Sequence, residues 1–221
     1  MIRNRFTLLV TAAVVLAACS SSSGSAAPGP ALTDPDAAEL AQQAPDSFKV
    51  LFETSKGSFT VLAYRAWAPL GVDRFHYLAK HEYYNGVKFF RVLPNFVVQF
   101  GIHGSPAVSA AWRGRNIGDD PVKGSNQRGT ISYAMGGPGT RTVQLFINKV
   151  DNSRLDASGF APIARVISGM EVVEQIYGGY GEGAPRGNGP MQDMIQAQGN
   201  AYLTRQFPLL DSIVRARIVQ E

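Results

Sequence analysis

The sequence predicts a mainly β fold: a closed antiparallel β-barrel capped by two helices, behind a disordered N-terminal tether. Three observations carry this expectation. Short apolar segments with the two-residue period of strands recur from residue 47 onward. Only two stretches show a substantial apolar helical face. Before residue 47 the composition shifts to Ser, Gly and Pro, which have little to bury. Many short strands with few helices pack most economically as a barrel. A chain of 221 residues, 45% of them hydrophobic, can enclose such a core without disulfides or metals.

At the amino terminus, Arg3 and Arg5 precede a short apolar run from Phe6 to Leu16. That run is too short to span a bilayer comfortably and reads as an export signal. It ends in Leu16-Ala17-Ala18-Cys19, which resembles the bacterial lipobox. Residues 1–18 are accordingly expected to be a lipoprotein signal peptide, with Cys19 the lipidation site. Residues 19–46 are read as a flexible linker, in which Ala37 to Gln43 has weak helical character. Residues 47–221 are the folded domain. Cys19 is the sole cysteine, so neither a disulfide framework nor thiol catalysis is available. The expected location is the bacterial cell envelope, lipid-anchored to a membrane and facing the periplasm. Of the net charge of +4, two units belong to Arg3 and Arg5, and no dense basic run remains for nucleic acid.

In the domain, Phe48, Val50 and Phe52 alternate with Lys49, Leu51 and Glu53 as in a strand. Ser55-Lys56-Gly57 offers a turn into a second strand over Ser58 to Tyr64. Pro69 suits the first turn of a helix whose apolar face is Val72, Phe75, Leu78 and Ala79, ending before Asn85-Gly86. Phe89 to Leu93 and Phe96 to Phe100 are short strands separated by Pro94-Asn95. Thr130 to Met135, Gln144 to Asn148 and Ala161 to Val166 are further strands. Met170, Val173 and Ile176 mark the second helix, after Gly169. Asp193 to Leu203 is an accessory helix, and Val214, Ala216 and Ile218 return as a last strand beside the first. Trp112, Arg113 and Arg115 read as a loop, either peptide-contacting or an ordinary surface insertion.

The segment Phe89-Phe90-Arg91-Val92-Leu93-Pro94-Asn95-Phe96-Val97-Val98-Gln99 places a cation, an aromatic wall and an amide where a strand pair can converge them. It resembles the cyclophilin signature F-x-R-x-x-P-x-F-x-x-Q. A second block, Gly129 to Ala134, Gly137-Pro138-Gly139-Thr140 and Gln144-Leu145-Phe146-Ile147, and a third, Leu155-Asp156 with Phe160 to Val166, are similar to the same family in the same order. Separated blocks in register are far more specific than one short motif. The resemblance spans Ser47 to Val219 and implies a cyclophilin-like barrel with peptidyl-prolyl cis-trans isomerase activity.

It also implies roles. Arg91 and Gln99 take the catalytic positions. Phe96, Val97, Phe146, Leu155 and Phe160 take those of the hydrophobic proline pocket, and Ala134, Met135 and Gln144 those of the adjoining peptide groove. The implied partners are proline-containing unfolded or flexible polypeptides. The reaction calls for no cofactor, metal, nucleophile or general base. Arg154 stands where many members have Trp, which removes an indole donor and implies weak cyclosporin binding; Phe160 replaces a pocket His. A non-catalytic proline-peptide-binding scaffold or holdase is the alternative reading. Elsewhere, Gly136 to Thr140 lacks the Lys and helix context of a phosphate loop, and Gly178 to Gly183 reads as a flexible loop. His76, His81 and His103 form no ligand set.

Overall fold

In the computed structural model, which describes Met1 and residues 29–219, strand β1 (Ser47–Thr54) buries alternate side chains and pairs antiparallel with β2 (Gly57–Tyr64). The signal peptide and Cys19 lie outside the described residues. Two short helical turns come first, α1 (Pro30–Thr33) and α2 (Ala37–Leu40). After β2 follow α3 (Pro69–Lys80), β3 (Arg91–Val92), β4 (Val97–Phe100), α4 (Pro106–Trp112), β5 (Thr130–Tyr133) and β6 (Leu145–Asn148). A 3-10 turn over Ser153–Ser158 then leads to β7 (Pro162–Ser168), α5 (Met170–Glu174), α6 (Gln192–Gln206) and β8 (Ile213–Val219).

The eight strands form one curled antiparallel sheet in the order β3-β4-β6-β5-β7-β2-β1-β8. The last strand lies beside the first, as its alternation suggested. The edge strands β3 and β8 share no ladder of their own. The segment just before β3 is joined instead to the start of β8, by an isolated bridge between Lys88 and Ser212 and by bonds from Gly86 N to Ile213 O (2.8 Å) and Ile213 N to Val87 O (2.9 Å). The expected barrel is therefore a curled sheet whose two edges meet over this short seam. Its concave side is filled by aromatic rings: Phe52 stacks on Phe59 at 4.9 Å and meets Phe100 edge-on at 6.1 Å. A second, smaller apolar cluster of Phe90, Ile102, Ile195, Tyr202, Leu203 and Phe207 lies beneath α6.

Several expectations change. The second helix, placed at 170–176, is only the five residues of α5, because the chain leaves helical geometry at Gln175 and enters a glycine-rich loop. The long second helix is α6, where an accessory one was expected, and it kinks at Gly199. In β8, Val214 is solvent-exposed and not inward with Ala216. The register against β1 skips a residue between Glu53 and Thr54, and Val214 is the extra residue of that bulge. Trp112 is no loop residue: it ends α4, fully buried.

Part of the predicted linker packs on the domain. Residues 30–44 are fastened to the domain: the Trp112 indole donates to Leu32 O at 2.8 Å, the Tyr77 hydroxyl to Ala31 O at 3.1 Å, and Ala44 N to Asp73 Oδ1 at 2.8 Å. Leu32 is buried over Trp112, and Glu39 meets Lys80 and His81, whose hydrogen bonds hold its carboxyl below the usual range. One apolar anchor and a buried indole thus convert a polar segment into part of the fold. A chain beginning at residue 46 is expected to be roughly 1–3 kcal/mol less stable to urea than one beginning at residue 29, the scale of one buried leucine and its hydrogen bonds less their ordering entropy. Equal urea midpoints would show that the segment contributes nothing.

The start of α3 is held from a distance. Its cap residue, Ala68, offers no side-chain acceptor. Asp120 supplies one, accepting from Leu70 N (3.0 Å) and Gly71 N (2.9 Å). Asp120 also pairs with Arg141, and both side chains are almost completely buried.

Candidate active site

Strand register builds the site. Arg91 on β3 lies opposite Gln99 on β4, and Gln99 lies opposite Phe146 on β6. Directly opposed residues point to the same face of a sheet, so these three form one row on the convex side. Their neighbours Val92, Val98 and Ile147 form the matching row facing the core. The alternation of β4 also puts Val97 on the outer face, two residues before Gln99. Phe96 precedes the strand, its carbonyl held by Lys149 N (2.9 Å) and the Asn152 side chain (3.0 Å).

These residues surround a cavity of about 420 Å³. Phe96, Val97, Phe146, Leu155 and Phe160 give it apolar walls, with the Phe146 and Phe160 rings edge-on at 5.7 Å. Arg91, Gln99, Ala134 and Met135 line the same space. Gln144 lies in the adjoining groove of about 210 Å³, together with Gln99, Ala134 and Met135. Every candidate residue of the folded domain is thus brought to one surface. Gly101 permits the close approach of β4 to the groove: its φ is +112°, and a Cβ there would lie 2.5 Å from Val143 O and 2.8 Å from Gln144 Cα.

Polar side chains are chained across the row. Arg91 Nη1 donates to Gln99 Oε1 (3.0 Å), Gln99 Nε2 to Gln144 Oε1 (3.0 Å), and Gln144 Nε2 to Gln192 Oε1 (3.1 Å). The guanidinium lies 5.8 Å from the Phe96 ring centroid, and Arg154 covers the same ring at 5.1 Å. Below the apolar wall, Asp156 accepts from Asn126 N (2.9 Å) and Asn126 Nδ2 (2.7 Å), tying the 3-10 turn that carries Leu155 to the strand region.

Three neighbours of the site were not foreseen. Glu182 accepts from Arg91 Nε and Nη2, each at 2.7 Å. The Arg91 hydrogen bond holds the Glu182 carboxyl below its ordinary range, against the opposing effect of burial. Gln192, the first residue of α6, and Arg186 complete the rim. Glu182 sits in the stretch read as a flexible loop, and no local pattern marks a residue whose partner is 91 positions away. Among the described residues, no cluster of three or more His, Cys, Asp or Glu is placed to hold a metal ion.

Residues 49–196 match the family model for cyclophilin type peptidyl-prolyl cis-trans isomerase/CLD. The chain is 35% identical over 133 residues to a peptidyl-prolyl cis-trans isomerase of Acinetobacter baylyi, covering 58% of this chain and 70% of that protein. It is 31% identical over 176 residues to the isomerase-like 1 protein of Aspergillus oryzae, covering 78% and 96%. Against Escherichia coli peptidyl-prolyl cis-trans isomerase B the figures are 31% over 156 residues, 66% and 94%. Crystal structures of a Cryptosporidium parvum cyclophilin-type isomerase share the fold. One has a TM-score of 0.58 at 18% identity, covering 79% of this chain and 99% of that one. Another, obtained in the presence of the dipeptide Ala-Pro, has a TM-score of 0.57.

Proposed function

The chain belongs to the cyclophilin-type peptidyl-prolyl cis-trans isomerase family, and from that premise we propose that it accelerates X-Pro rotation in proteins of the bacterial cell envelope, with Arg91 as the catalytic side chain. The observation that carries the reading is the Arg91–Gln99–Phe146 row set beside a cavity of about 420 Å³ with an apolar wall of Phe96, Val97, Phe146, Leu155 and Phe160.

Rotation about a peptide bond is opposed by about 18–20 kcal/mol, because the nitrogen lone pair is delocalised into the carbonyl. Both isomers of X-Pro are populated, yet unaided exchange takes tens of seconds or longer. No covalent bond need break. In the twisted state the lone pair returns to the prolyl nitrogen, and an N–H of Arg91 directed there stabilises that state over either planar one. A guanidinium suits the task because it is permanently charged and its donors are rigid. Phe96, Phe146, Leu155 and Phe160 hold the ring, while Ala134, Met135 and Gln144 take the flanking backbone. A C. parvum structure of this fold obtained in the presence of Ala-Pro supports a proline ligand.

For the envelope, support comes from Leu16-Ala17-Ala18-Cys19 and from the absence of any other cysteine in the chain. We read Cys19 as the lipid attachment point, with a polar connection that ends where residues 30–44 dock on the domain. Among the described residues no helix is long and apolar enough to cross a membrane. Mass spectrometry of the mature amino terminus tests this: acylated Cys19 is expected, and an unmodified or uncleaved terminus contradicts it.

The activity is tested by two-dimensional NMR exchange on an Ala-Pro peptide with catalytic amounts of the chain starting at residue 29. Cis–trans cross-peaks should build up at mixing times at which the free peptide shows none. Peptide binding without such cross-peaks would establish the scaffold reading instead.

A further inference from the structure

We propose that Glu182 is a positioning residue for the isomerisation, a claim that rests on the role assigned to Arg91: its carboxylate fixes the plane of the guanidinium so that the unpaired donors face the proline cavity. The geometry carries this. A guanidinium has five N–H donors. Two, on Nε and Nη2, are held by both oxygens of Glu182, and one, on Nη1, by Gln99. One donor on each terminal nitrogen is left for a substrate. Gln99 alone would leave the guanidinium free to swing about a single hydrogen bond at the end of a long, flexible side chain. The second, bidentate contact removes that freedom.

The loop is built to present this carboxylate. Gly183 N donates to Glu182 Oε1 (3.0 Å), and Gly189 N donates to Glu182 O (2.8 Å). A Cβ at Gly187 would lie 2.5 Å from that carbonyl oxygen, so the turn closes around Glu182 only with glycine there. Glu182 and Arg91, with Arg186 and Gln192, line both the proline cavity and a neighbouring one of about 360 Å³. The Arg91 side chain is 20% exposed and that of Glu182 29%, so water screens the pair only partly. The charged groups facing the carboxylate are Arg91, which dominates, and Arg186, and both favour its ionised form. Because two donors stay open with the pair intact, the carboxylate orients Arg91 without occupying its substrate edge.

The test compares Glu182→Ala and Glu182→Gln with wild type by NMR exchange, with peptide affinity and circular dichroism measured in parallel and Arg91→Ala as a reference. Glu182→Ala is expected to lower kcat roughly tenfold, with KM within about twofold, the signature of lost orientation. Glu182→Gln keeps one acceptor and should fall between. Wild-type activity should decline once acid protonates Glu182, below the ordinary carboxylate range, and Glu182→Gln should lack that acid limb. An unchanged kcat in the Gln variant with no difference in acid profile overturns the proposal, and so does a rise, which would make the carboxylate a brake. If Arg91→Ala is impaired while both Glu182 variants are not, positioning fails alone. If Arg91→Ala also retains full activity, the catalytic role of Arg91 fails with it.

Discussion

Arg91→Ala should lower kcat/KM for X-Pro exchange roughly 100-fold while the domain remains folded. A charge-assisted hydrogen bond is worth about 1.5–3 kcal/mol, and each 1.36 kcal/mol of selective stabilisation is a factor of ten. Loss of a single preorganised donor in an enclosed active site costs about 10²–10³ in rate. Stability should hardly change, because the partner carboxylate, Glu182, is partly open to water and can be resolvated. Arg91→Lys should not rescue the rate. One ammonium cannot span both oxygens of Glu182, reach Gln99 and still present directed donors. A lysine variant with near-normal activity would mean that bulk positive charge suffices, and the directional mechanism would fall.

Asp120→Ala is the matching prediction for stability, and it should be large for a residue outside the site. Its carboxylate performs two buried tasks: it caps α3 through Leu70 N and Gly71 N, and it pairs with Arg141. Arg141 lies against the Tyr133 ring, with Nε 3.3 Å from Asp119 and a further contact to Gly118 O. Removing Asp120 leaves a buried guanidinium short of its main counter-charge. Breaking such a pair from one side costs about 3–5 kcal/mol, more than the cap alone. For a domain of this size that is a fall in Tm of about 10 °C. At temperatures where the variant is folded, kcat should be normal, because α3 does not line the cavity. A shift under about 1 kcal/mol in urea unfolding would show that Asp119 and the Gly118 carbonyl suffice for Arg141.

What the sequence disclosed follows from how local each constraint is. Arg91 and Gln99 are eight residues apart on one hairpin, and the register set by its three-residue turn opposes them on one face, while the Gln144 to Phe146 stretch joins them through the next ladder. The β1–β2 hairpin was readable for the same reason. Longer-range choices were not. Glu182 finds Arg91 only because the loop before α6 folds over the sheet edge, and glycine spacing does not say where such a loop goes. The docking of residues 30–44 depends on a Trp112 indole that needs an acceptor, which Leu32 supplies 80 residues earlier. The bulge at Val214 reverses that residue's facing without disturbing the apolar pattern. The order of the strands along the curled sheet was likewise set by pairings that periodicity does not name.

Under the proposed mechanism the cavity lowers the barrier to rotation itself and does more than hold proline. The direct measurement is the cis–trans exchange rate of an Ala-Pro peptide saturated with the chain starting at residue 29, read from NMR line shapes of the bound resonances. Interconversion on the protein should be orders of magnitude faster than in free solution. A bound peptide that is locked in one isomer, or that exchanges no faster than the free peptide, would contradict it.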